Sequence, residues 1–215
     1  MTGNHVNKIQ NRSKINGPIC LIPDIHFKII IMKRLTFLMI LSFLFLSANA
    51  QKYMTKNGYI GFYSHTPMED IKADNNQVAG VLDTSTGEMV FQALIKSFHF
   101  DRALMEEHFN ENYMESEKFP KSIFKGKITN IKSVNFSKNG TYEVTVEGDL
   151  TIHDVTNKIS TKGTIEVVTG GINASSKFKI VPEDYKISIP GVVRDKISKD
   201  LEVTVNMKYA PVENK

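Results

Sequence analysis

Side chains able to do acid–base or metal chemistry are scattered along this sequence. From residue 51 onward there are four histidines, namely His65, His99, His108 and His153. None of them has another histidine or a carboxylate at the short spacing typical of a dedicated metal site. The side chains of adjacent acids such as Glu106 and Glu107 diverge, which indicates a solvated surface and not an acid–base pair.

Motifs of catalysis are missing as well. The sequence has no nucleophile elbow, no glycine-rich phosphate loop and no paired-cysteine motif. We therefore predict that the protein is not an enzyme and that it has no catalytic residue, no metal site and no cofactor. A hydrolase or other enzyme is the least favoured function class.

Aromatic and methionine side chains are concentrated in one part of the chain. Between residues 91 and 124 lie Phe91, Phe98, Phe100, Met105, Phe109, Tyr113, Met114, Phe119 and Phe124. Phenylalanine is bulky and methionine is adaptable, so the group suits a cavity for a flexible apolar ligand. The residues alone leave a second interpretation open, which is an ordinary hydrophobic core.

The elements that position these side chains are mostly strands. Apolar and polar residues alternate over 142–147 and 201–209, as they do in strands with one face in a core and one in water. Turn-forming residues at 84–87, 138–140 and 169–171 separate such runs. About eight short strands with tight connections predict an all-β domain in which an antiparallel sheet closes into a barrel. A two-sheet sandwich is the alternative closure.

One segment breaks the alternation. From Phe100 to Phe119 the apolar residues recur at spacings of three and four, and an acidic face lies opposite them. Asp101 is a suitable helix cap, and Pro120 prevents the helix from continuing. We predict a short amphipathic helix packed across one end of the barrel, and a second, shorter helical connection near residues 189–197.

Strand parity and the helix together predict a binding site. Parity places Met89, Phe91, Ala93 and Ile95 on one inner face, and Val144, Val146 and Ile152 on another. The helix and its flanking aromatic residues are expected to form a lid and upper wall. The predicted ligand-binding residues are Phe91, Ile95, Phe98, Phe100, Leu104, Met105, Phe109, Tyr113, Phe119, Phe124, Tyr142 and Ile152.

His153 allows two interpretations. Strand parity puts Ile152 inside and His153 outside, unless a bulge at Gly148-Asp149 reverses the order. The first interpretation is a histidine bonded to a neighbouring loop. The second is a polar contact to a ligand headgroup.

Residues 32–50 have the pattern of a secretory signal peptide. Met32-Lys33-Arg34 precedes a short apolar run over 35–46, and small residues precede Gln51. The run is shorter than the roughly 20 apolar residues that span a bilayer. We predict cleavage after Ala50, a domain over 51–215, and an upstream translation artefact over 1–31. An uncleaved membrane anchor is the alternative.

Cleavage would change the charge of the protein. Six of the 27 basic residues but one of the 23 acidic residues lie within residues 1–50, so residues 51–215 carry a net charge of −1. The charge therefore gives no support for a nucleic-acid partner. The only cysteine, Cys20, also precedes the cleavage site, which leaves the domain without a disulfide.

Three segments together resemble a known family. Residues 112–126, residues 148–158 (Gly-Asp-Leu-Thr-Ile-His-Asp-Val-Thr-Asn-Lys) and the ending from Phe178 to Val205 resemble, in this order, the signatures of the YceI-like, polyisoprenoid-binding family. Two departures stand out. The family's usual Arg-Asp-x-x-Leu run is replaced by the sequence at 101–105, and Asp154 takes the place of a glycine.

The resemblance implies a lipocalin-like, eight-stranded antiparallel β-barrel. It also implies export to the periplasm or secretion, frequent homodimers and a long apolar ligand in an interior tunnel. That ligand would be a polyisoprenoid, an isoprenoid quinone or another lipid. The leading hypothesis is therefore an exported soluble binding protein for an amphiphilic lipid, with no membrane span after cleavage. The alternative is a partner or stress-response module whose barrel is filled by side chains.

Overall fold

A computed structural model of the chain describes residues 52–212. Nine antiparallel strands make up most of it. Their bounds are β1 (Lys52–His65), β2 (Asp70–Asp83), β3 (Glu88–Leu94), β4 (His99–Phe100), β5 (Lys121–Ile128), β6 (Gly140–Ile152), β7 (Val155–Val168), β8 (Gly171–Ile180) and β9 (Leu201–Pro211). The α-helix is α1 (Ala103–His108), and single 3₁₀ turns occur at Ile95–Ser97, Ile131–Ser133, Pro182–Tyr185 and Gly191–Lys196.

Eight of these strands close into a barrel. The hydrogen-bonded order is β1-β9-β8-β7-β6-β5-β3-β2, and β2 pairs back onto β1. Pairing therefore continues around the whole circle, which confirms the predicted eight-stranded barrel and excludes the sandwich. The short strand β4 is an extra element that pairs with Ala73 and Asp74 of β2, beyond the part of β2 that pairs with β3.

Antiparallel order gives the barrel two different ends. The connections after β1, β4, β6 and β8 lie at one end, here called the upper end. The connections after β2, β5 and β7 lie at the other, the lower end. The lower end is filled by buried side chains, among them Tyr53, Leu82, Ile128, Val167, Ile172 and Tyr209. The two long connections, residues 101–120 and 181–200, are both at the upper end. The part of the barrel interior that side chains do not fill is at this end as well.

The predicted helix is present but shorter than expected. It begins at Ala103, passes into a π-helical turn at Phe109–Tyr113, and is followed by Glu115 in a left-handed conformation with φ of 42°. Asp101 is not its cap, because Arg102 occupies that position without a side-chain bond to the helix. The helix ends before Pro120 because the chain already reverses at Glu115. The second helical connection is confirmed as the 3₁₀ turn Gly191–Lys196. Within residues 52–212, no helix is both long and apolar enough to cross a membrane.

Tyr209 carries a polar atom into the lower core. Its hydroxyl is buried and has no hydrogen-bond partner among the described residues, and burial raises the pKa of this tyrosine. The hydroxyl lies near Gly80 and Phe91, where no acceptor reaches it. A buried unpaired hydroxyl costs about 1–3 kcal/mol relative to its hydrated state.

We therefore expect the substitution Tyr209→Phe to raise the free energy of unfolding by about 1 kcal/mol, since it removes only the unpaired group. Chemical denaturation measures the change. Tyr59→Phe is the matched control. The Tyr59 hydroxyl donates to Asp74 Oδ1 at 2.5 Å, and burial and this bond raise the pKa of Tyr59 to about 12. Tyr59→Phe should lower stability by about 1 kcal/mol. A loss of stability in Tyr209→Phe would mean that its hydroxyl is paired.

Candidate ligand-binding cavity

An apolar cavity of about 510 Å³ occupies the barrel interior above the filled lower end. Strand alternation points one side chain in two inward, and most of these inward side chains are aliphatic or aromatic. On β6 the wall is formed by Val144, Val146, Leu150 and Ile152. The volume lies within the range of about 300–1,000 Å³ that is typical of small-ligand sites.

Phe124 lies in the wall because two glycines make room for its ring. Gly126 and Gly148 are register partners on β5 and β6. A Cβ on Gly148 would lie 2.7 Å from the Phe124 ring and 2.5 Å from the Gly126 Cα. The Phe124 ring is stacked beside Phe91, with 5.7 Å between ring centroids. Any larger residue at position 148 would displace this part of the wall.

Four phenylalanines form an aromatic cluster at the upper end of the cavity. Phe62 of β1 lies 5.8 Å from both Phe98 and Phe100, and 5.6 Å from Phe109, between ring centroids. Phe109 comes from the turn after α1 and is also 5.0 Å from Phe100. None of the residues in α1 is buried. Phe109 is therefore the residue through which the helical segment joins this cluster.

Ten of the twelve predicted ligand-binding residues line this cavity. They are Phe91, Ile95, Phe98, Phe100, Leu104, Met105, Phe109, Tyr113, Phe124 and Ile152. Leu104 is 61% exposed and lies at the rim, so it is less enclosed than the other nine. The structure brings these side chains together, and their contact with a ligand stays a prediction.

Phe119 and Tyr142 are not part of the cavity wall. Phe119 lies on the far side of the loop after α1, where its ring is 4.3 Å from the ring of His153. The Tyr142 hydroxyl donates to Asn135 O and Lys138 O, each at 3.3 Å, in the connection at the lower end. Parity correctly predicts which face of β6 carries Tyr142, but it does not give the height of a residue along the barrel.

The sequence reasoning missed the wall contributed by β7, β8 and the following connection. These residues are Ile159, Thr161, Gly163, Ile165, Ala174, Ser176, Phe178, Ile187, Ile189 and Val193. The inner faces of β7 and β8 contain hydroxyl residues and a glycine, so their alternation is weaker than that of β6 or β9. The period of two was still a usable signal, because these wall residues have odd numbers on β7 and even numbers on β8.

Residues 181–197 cover the side of the barrel where β7 and β8 separate. Asn157 Nδ2 of β7 donates to Asp184 O at 2.8 Å, and Arg194 forms an ion pair with Glu183 within the segment. The Arg194 guanidinium bonded to Glu183 holds the pKa of that carboxyl below its ordinary value. These contacts close part of the cavity with a loop and not with a strand.

Polar side chains occur mainly at the mouth of the cavity. Arg102 forms an ion pair with Glu69, which connects the start of α1 to the β1–β2 turn. Ser64 is buried and accepts a hydrogen bond from Ser198 N at 2.8 Å. The first contact links the 101–120 segment to the β1–β2 turn, and the second links the 181–200 segment to the upper end of β1.

His153 belongs to the turn between β6 and β7. It lies outside the cavity and packs against the loop after α1. It forms a two-residue turn with Asp154, with φ of 51° and 59°, and the β6–β7 pairing is unbroken from Gly140 to Ile152. No bulge therefore reverses the strand, and Asp154 tolerates the conformation that usually favours glycine. The His153 side chain is 12% exposed, and its Nε2 lies 3.3 Å from Glu115 Oε1 without the alignment of a hydrogen bond. His153 therefore contacts the neighbouring loop, as the first interpretation expects, but its Nε2 has no hydrogen-bond partner among the described residues.

No three His, Cys, Asp or Glu side chains are grouped within residues 52–212 in a way that could hold a metal ion. The cavity lining is mainly aliphatic and aromatic, and such a surface can enclose a chain-like apolar molecule.

Fold and cavity together define a class of protein, namely a closed antiparallel barrel with an apolar chamber under a short helix. The sequence model of the YceI-like domain matches residues 52–209. This chain belongs to the YceI-like family, as the resemblance predicts. The sequence has no match among curated proteins.

Solved structures share this fold at low sequence identity. A polyisoprenoid binding domain from Saccharophagus degradans has a TM-score of 0.65 and 14% identity, over 76% of this chain and 99% of that one. BcnA from Burkholderia cenocepacia has a TM-score of 0.59 and 10% identity, over 71% and 96%. The YceI protein from Campylobacter jejuni has a TM-score of 0.53 and 18% identity, over 70% and 90%. At these identities the likeness shows the fold.

The aromatic cluster yields a test of the lid. We expect Phe109→Ala to lower the free energy of unfolding by about 2 kcal/mol, because Phe109 is half-buried, and to speed the release of an apolar fluorescent probe such as N-phenylnaphthylamine. Stopped-flow fluorescence measures the release rate. Glu107→Ala, on the exposed face of α1, is the control and should leave the rate unchanged. Equal release rates in wild type and Phe109→Ala would mean that the probe does not leave past this cluster.

Proposed function

We propose that this protein binds one flexible, mainly apolar ligand inside its barrel, such as a polyisoprenoid or another long lipid, and acts as a carrier or store and not as an enzyme. The observation that carries the proposal is the 510 Å³ apolar cavity. Membership of the YceI-like family supports it, as does the fold shared with a polyisoprenoid binding domain.

The energetics of apolar burial suit such a ligand. Each methylene group that leaves water contributes about 0.8 kcal/mol, so a long chain can bind tightly without a charged partner. The helical segment over 103–113 and residues 181–197 supply parts of the enclosure that are not strands, and such segments open at lower cost than the barrel wall. A ligand can therefore enter while the barrel stays intact.

The alternative of a partner module with a filled barrel is less well supported. Side chains fill the lower end of the barrel, but they leave the upper interior empty enough for a ligand. Homodimer formation, which the resemblance implies, stays a prediction.

Export is the second part of the proposal. Its support is the signal-peptide pattern over 32–50, which lies outside the described residues. Cleavage after Ala50 would deliver the barrel to the periplasm or the medium. Expression of the full chain, followed by intact mass and N-terminal sequencing of the exported protein, tests this. A product that begins at Met1 or Met32 and stays in the cytoplasm would contradict it.

A cavity-filling variant tests ligand binding directly. Ala174 lies on the inner face of β8 and lines the cavity, whereas Ala79 lies exposed on the outer face of β2. We expect native mass spectrometry and organic extraction to find one lipid per chain in wild type and in Ala79→Phe. Ala174→Phe should retain at least tenfold less, because its ring takes the space of the ligand.

Melting curves must first show that both variants fold. Retention of a full equivalent of lipid by folded Ala174→Phe would contradict the proposal. So would an empty cavity in wild type after exposure to long-chain lipids.

A further inference from the structure

Two neighbouring hydroxyl groups interrupt the apolar inner wall on β7 and β8. Thr161 of β7 and Ser176 of β8 lie at inward positions of their strands and line the cavity. The two strands pair only from Gly163 and Ser176 downward, and above this point β8 continues to pair with β9 alone. The hydroxyls therefore lie where β7 and β8 begin to separate.

Both hydroxyl groups have hydrogen-bond acceptors for their protons within the wall itself. Ser176 Oγ donates to Lys162 O at 2.7 Å. Thr161 Oγ1 lies 3.2 Å from Ser176 Oγ, 3.2 Å from Lys162 O and 3.5 Å from Lys177 O, so its single proton has acceptors on the protein. A hydroxyl has one proton and two lone pairs. The pair therefore retains free acceptor capacity, and no free donor, beside the cavity.

The inward side chains next to these oxygens on β7 and β8 are small or apolar. Gly163, the register partner of Ser176, places no side chain there. The neighbouring wall residues Ile159, Ile165 and Ala174 cannot hydrogen-bond through their side chains. A polar atom of a ligand in this region would therefore meet the hydroxyl pair first.

We propose that Thr161 and Ser176 form an acceptor subsite for an O–H or N–H donor on the ligand. The inference rests on the proposed function and narrows its ligand class to long apolar chains that bear an alcohol, a hydroquinone or a primary amide. A hydrocarbon, an ether or a quinone offers only apolar surface or acceptors, and it forms no hydrogen bond with this pair while both hydroxyl protons are donated within the protein.

Matched probes separate this subsite from simple apolar binding. Geranylgeraniol and its methyl ether share one chain and differ in the hydroxyl proton. We expect wild type to bind the alcohol several-fold, and at most about tenfold, more tightly than the ether, which is the range of a single net hydrogen bond. Competition against N-phenylnaphthylamine measures both affinities.

The double variant Thr161→Val/Ser176→Ala should reduce the alcohol-to-ether ratio to about one while it binds the ether within twofold of wild type. The control is Thr151→Val/Thr156→Val. Those two hydroxyls also bridge adjacent strands, at 2.7 Å, but lie on the outer face of β6 and β7. The control should keep the wild-type ratio. If the double variant does not fold, Thr161→Val alone is measured in its place.

Three results would overturn the subsite. Equal binding of alcohol and ether by wild type would show that no donor is recognised, while the proposed function would stand. If the folded variant lost affinity for both probes by the same factor, the role of the hydroxyls would be only to hold β7 against β8. Failure of wild type to bind either probe would refute the proposed function itself, and the subsite with it.

Discussion

Closure of the sheet is the constraint on which the rest of this structure depends. β1 pairs with β2 on one side and with β9 on the other. Each of the eight strands therefore has a hydrogen-bonded neighbour on both of its sides. Closure satisfies backbone groups around the circle and removes the exposed edges that favour aggregation. It also creates an interior without a second layer of secondary structure, because inward side chains face one another across the barrel. Whether that interior is core or cavity then depends on the size of those side chains.

The two ends of the barrel resolve this question differently. At the lower end, side chains such as Tyr53, Leu82 and Tyr209 are buried in the interior. At the upper end, the chain makes its long excursions and covers the opening with a short helix and loops. A barrel of eight strands is wide enough either to be filled by side chains or to leave room for one small ligand. This one is filled at its lower end and has a cavity at its upper end.

The chemistry of the cavity wall differs from strand to strand. β6 presents an unbroken apolar face, whereas β7 and β8 present a hydroxyl pair where they separate. That separation is bridged by residues 181–197, which contact β7 through a side chain–backbone bond from Asn157. The hydroxyl pair and a non-strand part of the enclosure are thus neighbours. The apolar face of β6 is complementary to an apolar chain, and the hydroxyl pair of β7 and β8 is complementary to a polar group at one end of it.

The sequence alone determined the local features, because these depend on residues close in the chain. Alternation with a period of two predicted the strands, turn residues separated them, and spacing of three and four predicted the helix. Ten of the residues that parity and the aromatic concentration predicted to bind a ligand line the cavity, and their contact with a ligand stays a prediction. The family followed from three ordered motifs, and it was confirmed by the match over residues 52–209.

Only the tertiary structure decided where along the barrel each inward residue lies. Tyr142 has the parity of a wall residue, but its height places it in the lower end. Phe119 belongs to the aromatic segment, but the left-handed Glu115 turns the chain so that its ring meets His153. Thr161 and Ser176 are 15 residues apart in sequence, and the β7–β8 register alone brings them within hydrogen-bonding distance. Position along the axis, loop reversal and cross-strand register depend on contacts between distant segments, which a local pattern does not contain.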